Sequence, residues 1–322
     1  MQRALSNRYD MVKPPQSNKR ESAMAATGKS PSNPDEDVDL KDRVVSAIII
    51  GIIRSLTLLP YRWRVPAGGW VISRIVGPLI GYRQRVRDNL SLILPDMPEA
   101  EKEQLARDVP DHIGRTLCEL FSPKDLVKTA TETPITGDGI EAVEEARKAG
   151  RPIIVVSGHF GNYGIARSIL IQRGHKIGGL YRSMNYRGFN DFYVSRISQV
   201  GTPLFLRGRR GMGEMVRFLK AGNAIALLID QHMSSGAPLK FFGRTAYTAL
   251  SAAELTLRYD ALLVPCYSIR QPDGMSFEMV LEAPIPHSTP EEMTQALNDS
   301  LEARVRANMA QWLWVHRRWK TQ

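Results

Sequence analysis

The chain has little cysteine, few aromatic residues and no apolar run long enough for an ordinary transmembrane helix. It contains 2 cysteines among 322 residues, and aromatic residues make up 7%. Cys118 and Cys266 cannot form a disulfide framework, and they lack the spacing of a zinc site. They predict reduced thiols in a cytosolic setting. We expect no secretory signal, because no apolar stretch with a small-residue cleavage site stands at the N-terminus.

Cofactor motifs are missing as well. The sequence has no H-E-x-x-H, P-loop or dinucleotide fingerprint, so we expect neither a metal ion nor a nucleotide cofactor. Hydrophobic residues are 43% and charged residues 24%, which is typical of a folded core and excludes a wholly disordered, collagen-like or polytopic membrane protein. The net charge of +10 predicts an anionic partner, such as nucleic acid, a membrane surface, or a phosphate-bearing or acidic-protein substrate.

The composition divides the chain into three regions. Residues 1–43 are polar and nearly balanced in charge, and they are predicted to form a disordered tail. Residues 44–130 are predicted to be a helical, membrane-interfacial region. Two prolines in it, Pro95 and Pro110, are each expected to end a helix. Residues 131–322 are predicted to form an α/β domain.

The apolar run at the start of the helical region has three interpretations. Residues 44–53 read VVSAIIIGII, about half of the ~20 residues that a span requires. Tryptophan and arginine follow at Trp63, Arg64 and Trp70, a mixture that suits the headgroup layer. We favour an interfacial or shallowly inserted helix pair over a buried core helix and over a true span.

Beyond residue 137, short β-branched runs alternate with helical patterns. The strand candidates lie within residues 151–161, 175–183, 202–208, 224–232, 262–270 and 277–284. Alternation at this spacing predicts an α/β fold with a mostly parallel central sheet and flanking helices. The N-terminal helical segment is expected to pack on this domain or on the membrane.

Polar residues follow three of these strands, where an open parallel sheet places its chemistry. His159 comes directly after IIVVSG, and it could act as a general base or serve as a capping or core histidine. Arg182 follows the second strand, and Asp230 follows LLI. Arg182 could contact an anionic substrate or pair with Asp230. Gly161, Asn162 and Gln231 are additional candidates for substrate binding.

Two basic segments accompany the candidate site. The first includes Arg207, Arg209 and Arg210, and it could bind nucleic acid, phosphorylated headgroups or an acidic carrier protein, or be a solvated face. No nucleic-acid fold signature accompanies it, so we expect no nucleic-acid partner. The second is QWLWVHRRWK (311–320), whose tryptophans could lie at a membrane interface or pack on the sheet. We expect His316 to be exposed.

Several sequence motifs occur in an order that resembles a known family. They are GHFGNYG (158–164), YRSMN (181–185), GMGEMVRFLKAG (211–222), LLIDQH (227–232), KFFGRTA (240–246) and QWLWVHRRWK (311–320). Together with RVRDNLSLILPDM (85–97) and HIGRTLCEL (112–120), they resemble the lipid A late acyltransferase branch of the lysophospholipid acyltransferase superfamily. The resemblance covers residues 44–322 and makes 131–322 the acyltransferase domain.

The resemblance implies a mechanism and a departure from it. In the family, the histidine of H-x-x-x-x-(D/E) deprotonates the acceptor hydroxyl, and the acid orients the imidazole. The histidine here is His159, but the acid position is Gly164. Asp230 could replace the acid, Asn162 or a backbone group could bond the imidazole, or catalysis could be lost. Among these, we favour Asp230, with Arg182 as anion or oxyanion contact.

The resemblance also implies the reaction and its setting. We expect transfer of a fatty acyl chain from an acyl carrier protein or coenzyme A thioester to a hydroxyl of a membrane lipid. The acceptor would be a lipid A precursor, a lyso-aminolipid or another lysolipid. We expect the protein at the cytoplasmic face of the inner membrane, peripheral or shallowly anchored. The alternative is a catalytically silent relative that binds lipid or carrier protein.

Overall fold

The computed structural model describes residues 39–320. Most of the predicted disordered tail, residues 1–38, lies outside the described residues. The first described helix, α1, begins at Leu40, so residues 40–43 are helical rather than part of a tail.

Regular structure occupies most of the described chain. Its α-helices are α1 (Leu40–Thr57), α2 (Tyr61–Val71), α3 (Gly77–Leu79), α4 (Tyr82–Ile93), α5 (Glu99–Leu120), α6 (Pro123–Glu132), α7 (Ile140–Lys148), α8 (Tyr163–Gln172), α9 (Arg187–Val200), α10 (Arg209–Lys220), α11 (Ser251–Tyr259) and α12 (Pro290–Ala307). The strands are β1 (Ile135–Thr136), β2 (Ile153–Ser157), β3 (Ile177–Tyr181), β4 (Leu204–Leu206), β5 (Ala224–Leu228), β6 (Ala237–Phe241), β7 (Arg244–Thr248), β8 (Leu262–Arg270) and β9 (Phe277–Leu281).

A mixed seven-stranded sheet confirms the predicted α/β class. Its strand order is β1-β9-β8-β2-β5-β3-β4, and every neighbouring pair is parallel except β8 with β9. A separate antiparallel hairpin, β6–β7, contains the family-like motif KFFGRTA (240–246), for which no strand was predicted. The hairpin, the short β1 and helix α7 were not predicted.

Helices cover both faces of the sheet. Strand β2 is buried along its whole length, which explains its continuous apolar sequence. Ile153 and Val155 belong to the core that includes α6, α7 and α8, whereas Ile154 and Val156 belong to the core that includes α10, α11 and α12. The two sides of the strand therefore serve different hydrophobic clusters, as the two-residue period of a strand requires.

Helix α5 passes through Pro110 without a break, so the predicted end of a helix there is wrong. It runs over 22 residues, from Glu99 to Leu120. Pro110 and its neighbour Val109 are both buried, and a Cβ on Gly77 would lie 3.5 Å from the Pro110 Cβ. Tertiary packing on both sides of the proline outweighs the loss of one backbone hydrogen bond. The predicted end of a helix at Pro95 is confirmed, because α4 ends at Ile93, two residues before Pro95.

Helix α1 docks on α9 through polar side chains and exposes an apolar stripe. The Asp42 carboxylate accepts hydrogen bonds from the backbone N–H groups of Arg187 and Gly188 (2.7 and 3.3 Å), and Ser46 Oγ accepts one from Phe189 N (3.0 Å). These contacts cap the N-terminus of α9 from another element. The outward stripe has four-residue spacing and comprises Leu40, Val44, Ile48 and Ile52.

No helix in residues 39–320 combines the length and the apolar character that crossing a bilayer requires.

Asp42→Ala should destabilise the protein, because three N–H groups at the start of α9 depend on Asp42 and its hydrogen-bond partner Ser46. We expect the free energy of unfolding to fall by about 1 kcal/mol, the usual cost of losing a helix cap. Urea denaturation of the full chain measures the difference. Asp96→Ala, at an exposed loop position, is the matched control and should leave stability unchanged. Equal stability of wild type and Asp42→Ala would contradict this capping role.

Candidate active site

Two neighbouring parallel strands bring His159 and Asp230 together. Strand β2 pairs with β5 in a register that sets Ser157 beside Leu228 at their carboxyl ends. One residue separates the end of β2 from His159, and one separates the end of β5 from Asp230. Because both strands end at the same edge of the sheet, the two side chains meet there, as predicted.

The Asp230 carboxylate receives hydrogen bonds from three donors. Its Oδ1 lies 2.8 Å from Nδ1 of the His159 ring, and its Oδ2 accepts from His159 N at 2.6 Å and from Trp312 Nε1 at 2.9 Å. The side chain of Asp230 is 1% exposed, while that of His159 is 22% exposed. The aspartate is therefore fixed inside the protein, and one side of the imidazole faces outward.

The ionised forms of His159 and Asp230 stabilise each other. Burial lowers the pKa of His159, but the charge and hydrogen bond of Asp230 outweigh burial and raise the pKa above the ordinary value of 6.5. Burial raises the pKa of Asp230, yet the contacts with His159 and Trp312 lower it below the usual range. Asp230 is therefore ionised, and a neutral His159 ring carries its proton on Nδ1, leaving Nε2 as the basic nitrogen.

Two other titratable side chains lie near His159. The ring of Tyr163, on α8, lies 5.1 Å from the imidazole centroid in an edge-on arrangement. Burial raises the pKa of Tyr163, so its hydroxyl is protonated. His316 is partly buried rather than exposed, and its Nε2 accepts a hydrogen bond from His232 N at 3.1 Å. Burial lowers the pKa of His316 to about 4, which keeps this second imidazole neutral.

Gly161 and Asn162 hold the loop after His159 rather than face outward. Gly161 has φ +53°, and a Cβ there would lie 1.8 Å from the carbonyl oxygen of Ser268. Asn162 is fully buried, caps α8 through Gly164 N and Ile165 N, and donates from Nδ2 to Glu119. The Asn162 side chain is fully buried and its polar atoms bond protein groups, so its substrate contact stays a prediction. The imidazole is bonded by Asp230, not by Asn162.

The backbone at Gly164 is closed to a larger side chain. A Cβ on Gly164 would lie 2.3 Å from Cδ2 of Leu120 and 3.2 Å from Oδ1 of Asn162. Leu120 is itself buried in the core. An acid at this position would require the Leu120 side chain to move. The carboxylate that contacts the imidazole is that of Asp230, which follows β5.

Arg182 and Gln231 lie at the same edge of the sheet. Arg182 follows the last residue of β3 and is exposed. It does not pair with Asp230, whose hydrogen-bond donors are His159 and Trp312. Gln231 is exposed next to Asp230, and its carbonyl oxygen accepts a 3.4 Å hydrogen bond from Arg318.

The basic residues of this region lie at the two ends of α10. Arg207, Arg209 and Arg210 are exposed where β4 meets the start of α10, at the carboxyl edge of the sheet. Arg207 Nη2 lies 3.8 Å from Met233 Sδ, so it borders the loop that follows Asp230. Arg217 and Lys220 occupy the last turn of α10, at the opposite end of that helix. The first group of arginines therefore lies at the edge of the sheet that carries His159.

The tryptophans of the C-terminal segment pack inside the protein. Trp312 and Trp314 are 1% and 0% exposed, so packing on the fold is confirmed for them and a membrane-interface position is wrong. Sequence reasoning missed the contact of Trp312 with Asp230. The alternating aromatics indicated burial, but no sequence signal identified the acceptor of an indole N–H.

The described residues offer no grouping of three His, Cys, Asp or Glu side chains that could hold a metal ion.

Asp230→Asn should lower the pKa of His159, because burial remains while the opposing negative charge is removed. We expect the pKa to fall below 6.5, so that the ring is neutral over a wider pH range. NMR titration of the imidazole measures it, with a His159→Asn variant for assignment. The NMR signals of His287, which bonds the Ala261 carbonyl, serve as the internal control and should be the same in the variant and in wild type at each pH. An unchanged pKa of His159 would refute the electrostatic coupling.

Comparisons with known proteins identify the family of this chain. The family model described as bacterial lipid A biosynthesis acyltransferase matches residues 35–321. A lipid A biosynthesis acyltransferase of Haemophilus influenzae is 24% identical, with 84% of this chain and 89% of that protein covered. The lipid A biosynthesis lauroyltransferase of Escherichia coli is 25% identical (84% and 90% covered), and a phosphatidylinositol mannoside acyltransferase of Mycobacterium tuberculosis is 22% identical (83% and 85%).

The family match covers all of the described residues, including the two strands that precede His159 and Asp230. It confirms the resemblance seen in the sequence and the expectation of an enzyme. This chain belongs to the bacterial lipid A biosynthesis acyltransferase family and is a lipid acyltransferase.

Proposed function

We propose that the protein moves a fatty acyl chain from an acyl thioester to a hydroxyl of a lipid acceptor, with His159 as the general base. The observation that carries the proposal is the 2.8 Å contact between His159 Nδ1 and the buried Asp230 carboxylate. This contact commits one ring nitrogen to an orienting acid and leaves the other for proton transfer, the logic of a Ser-His-Asp relay. The substrate's hydroxyl takes the place of the serine.

The reaction follows from this arrangement. The acceptor hydroxyl attacks the thioester carbonyl, an O–C bond forms, and Nε2 of His159 takes the hydroxyl proton. Asp230 stabilises the resulting imidazolium, since its carboxylate already bonds Nδ1. The C–S bond then breaks, and the imidazolium returns the proton to the leaving thiolate. Arg182, exposed at the neighbouring strand end, is proposed to contact the oxyanion or an anionic group of the substrate.

The acceptor is proposed to be an amphiphile with a free hydroxyl. The relatives from Haemophilus influenzae and Escherichia coli are named for lipid A, and the one from Mycobacterium tuberculosis for phosphatidylinositol mannoside. A lipid A precursor, a lyso-aminolipid or another lysolipid all present such a hydroxyl. Gln231, exposed beside Asp230, is proposed to contact the acceptor.

The donor is proposed to dock on the arginines at the start of α10. Arg207, Arg209 and Arg210 are exposed at the edge that carries His159. An acidic acyl carrier protein would be attracted to this cluster, and a coenzyme A thioester would place its phosphates there. No described feature favours nucleic acid, and we propose none as a partner.

The N-terminal helices are proposed to rest on the cytoplasmic face of the inner membrane. The α1 stripe is open to solvent, with Ile48 57% and Ile52 55% exposed, and Trp63 and Trp70 of α2 are exposed as well. Arg62 lies over the Trp63 ring at 5.7 Å, a pairing suited to the headgroup layer. A peripheral or shallow position would bury this apolar surface without a span.

His159→Ala should lower the rate of acyl transfer by about 10²- to 10⁴-fold, the usual contribution of a general base. The assay follows a labelled acyl chain from an acyl carrier protein or coenzyme A thioester to lipid extracted from the source membrane. His287→Ala, a change of an exposed histidine that bonds the Ala261 carbonyl, is the control and should retain activity.

Unchanged transfer by His159→Ala would overturn the mechanism. If the wild type transfers no acyl chain from either donor yet binds lipid or carrier protein, the catalytically silent alternative replaces it. Lipid profiling of a deletion strain identifies the acceptor, because the acylated species that disappears names it.

Val44→Asp and Ile48→Asp should weaken binding to vesicles of phosphatidylethanolamine and phosphatidylglycerol. Burying one large aliphatic side chain contributes roughly 1.5–3 kcal/mol, so each change should weaken partitioning by at least about tenfold. Vesicle flotation measures the bound fraction. Ile140→Asp, at an exposed apolar position on α7, is the matched control and should bind like wild type. Equal flotation of all four proteins would refute the proposed contact of α1 with the membrane.

A further inference from the structure

A buried ion pair lies beneath the loop that carries His159. Glu119, near the end of α5, and Arg270, the last residue of β8, have side chains that are 0% and 1% exposed. Both guanidinium Nη atoms bond the carboxylate, and the Nη2–Oε2 distance is 2.7 Å. Arg270 also packs over the Phe277 ring at 4.7 Å. The mechanism proposed above uses neither residue.

Glu119 connects this pair to the loop through Asn162. Nδ2 of Asn162 donates to Glu119 Oε2 at 2.7 Å, and Oδ1 of Asn162 accepts from Gly164 N and Ile165 N at 3.0 and 3.1 Å. The acceptor therefore sets which way the Asn162 amide faces, because a carboxylate accepts only from the NH₂ group. That orientation presents Oδ1 to the first turn of α8.

A second contact from the same helix holds the preceding residue. Thr116 lies one turn before Glu119 on α5, and its Oγ1 donates to the carbonyl oxygen of Gly161 at 3.1 Å. Thr116 Oγ1 lies 3.4 Å from Arg270 Nη2, so the threonine belongs to the same cluster. Helix α5 thus bonds both residues of the 161–162 turn, which follow His159 after a single residue.

A contribution to stability does not by itself explain why Glu119 and Arg270 are buried here. Well-packed apolar residues often replace a buried ion pair at no cost in stability, whereas a charged carboxylate imposes one orientation on its hydrogen-bond partners. The oriented partner here is Asn162, the cap of α8, and only two residues separate it from His159, whose ring contacts Asp230.

We propose that Glu119 is a positioning residue for acyl transfer, which acts through Asn162 to hold the His159 ring against Asp230. The inference rests on the proposed role of His159 as general base. Arg270 pairs with the Glu119 carboxylate and holds it in place, and Thr116 supports the same turn. The N-terminal helical region thereby completes the active site of the α/β domain without touching a substrate.

Glu119→Gln in the full-length protein tests the proposal. An amide can turn its NH₂ group toward Asn162, so the cap loses its fixed orientation and His159 moves relative to Asp230. We expect kcat to fall by about tenfold or more, since small displacements of a catalytic group are costly, while KM stays within about twofold. NMR titration should give a lower pKa for His159 than in wild type, because the Asp230 contact is weakened.

The matched control is Glu101→Gln, an exposed glutamate on the same helix, which should leave both measurements unchanged. Thr116→Val keeps the Glu119–Arg270 pair and serves if Glu119→Gln does not fold. We expect Thr116→Val to lower the His159 pKa and kcat in the same direction by a smaller amount. A folded Glu119→Gln with the pKa and kcat of wild type would overturn the proposal. If Glu119→Gln does not fold, a Thr116→Val indistinguishable from wild type would do the same.

The two readouts separate this proposal from the proposed function. If the wild type transfers no acyl chain, the function fails, yet the NMR titration still reports whether Glu119 holds His159 on Asp230. If transfer depends on His159 while the titration curves of wild type and Glu119→Gln coincide, the function stands and the positioning role fails.

Discussion

The contact between His159 and the buried Asp230 carboxylate is the interaction on which the site depends. It requires β2 and β5 to be neighbours in a parallel sheet, so that two residues distant in sequence meet at one edge. It also requires Trp312 from the C-terminal segment, which completes the shell of hydrogen-bond donors around the carboxylate. A buried carboxylate without these donors would be protonated or excluded from the interior. The sheet and the C-terminal segment therefore jointly maintain a charged acid behind the imidazole.

The proposed role of Asp230 bears on the glycine at position 164. The family pattern places a carboxylate five positions after the histidine, whereas here that position is Gly164 and Leu120 packs against its backbone. An acid supplied by a neighbouring strand is held by tertiary structure rather than by the local helix. Its burial and three hydrogen-bond donors give it a fixed orientation toward Nδ1. The departure in sequence is thus compatible with an oriented imidazole.

The N-terminal helices do more than cover the sheet. Helix α5 bonds the turn that follows His159 through Thr116 and Glu119. Helix α1 caps α9 with Asp42, and Arg167 of α8 bonds the carbonyl groups of Ile197 and Gly201 at the other end of α9. Helix α9 thus has polar contacts with α1 at its start and with α8, which begins near His159, at its end. The proposed membrane-facing helix α1 and the helix that follows His159 are therefore both held against α9.

The sequence by itself determined the α/β class, most of the strands and the positions of His159 and Asp230, because these follow from local periodicity and from polar residues at strand ends. Tertiary structure alone decided that α5 continues through Pro110, that Asn162 is buried and that the C-terminal tryptophans lie inside. It also decided the partner of each buried polar group, including Trp312 with Asp230 and Glu119 with Asn162. Such pairs join residues separated by 82 and 43 positions, and no local pattern encodes which strand or helix will be the neighbour. Hydrophobic patterning predicts elements, whereas the choice of partner depends on how the whole chain packs.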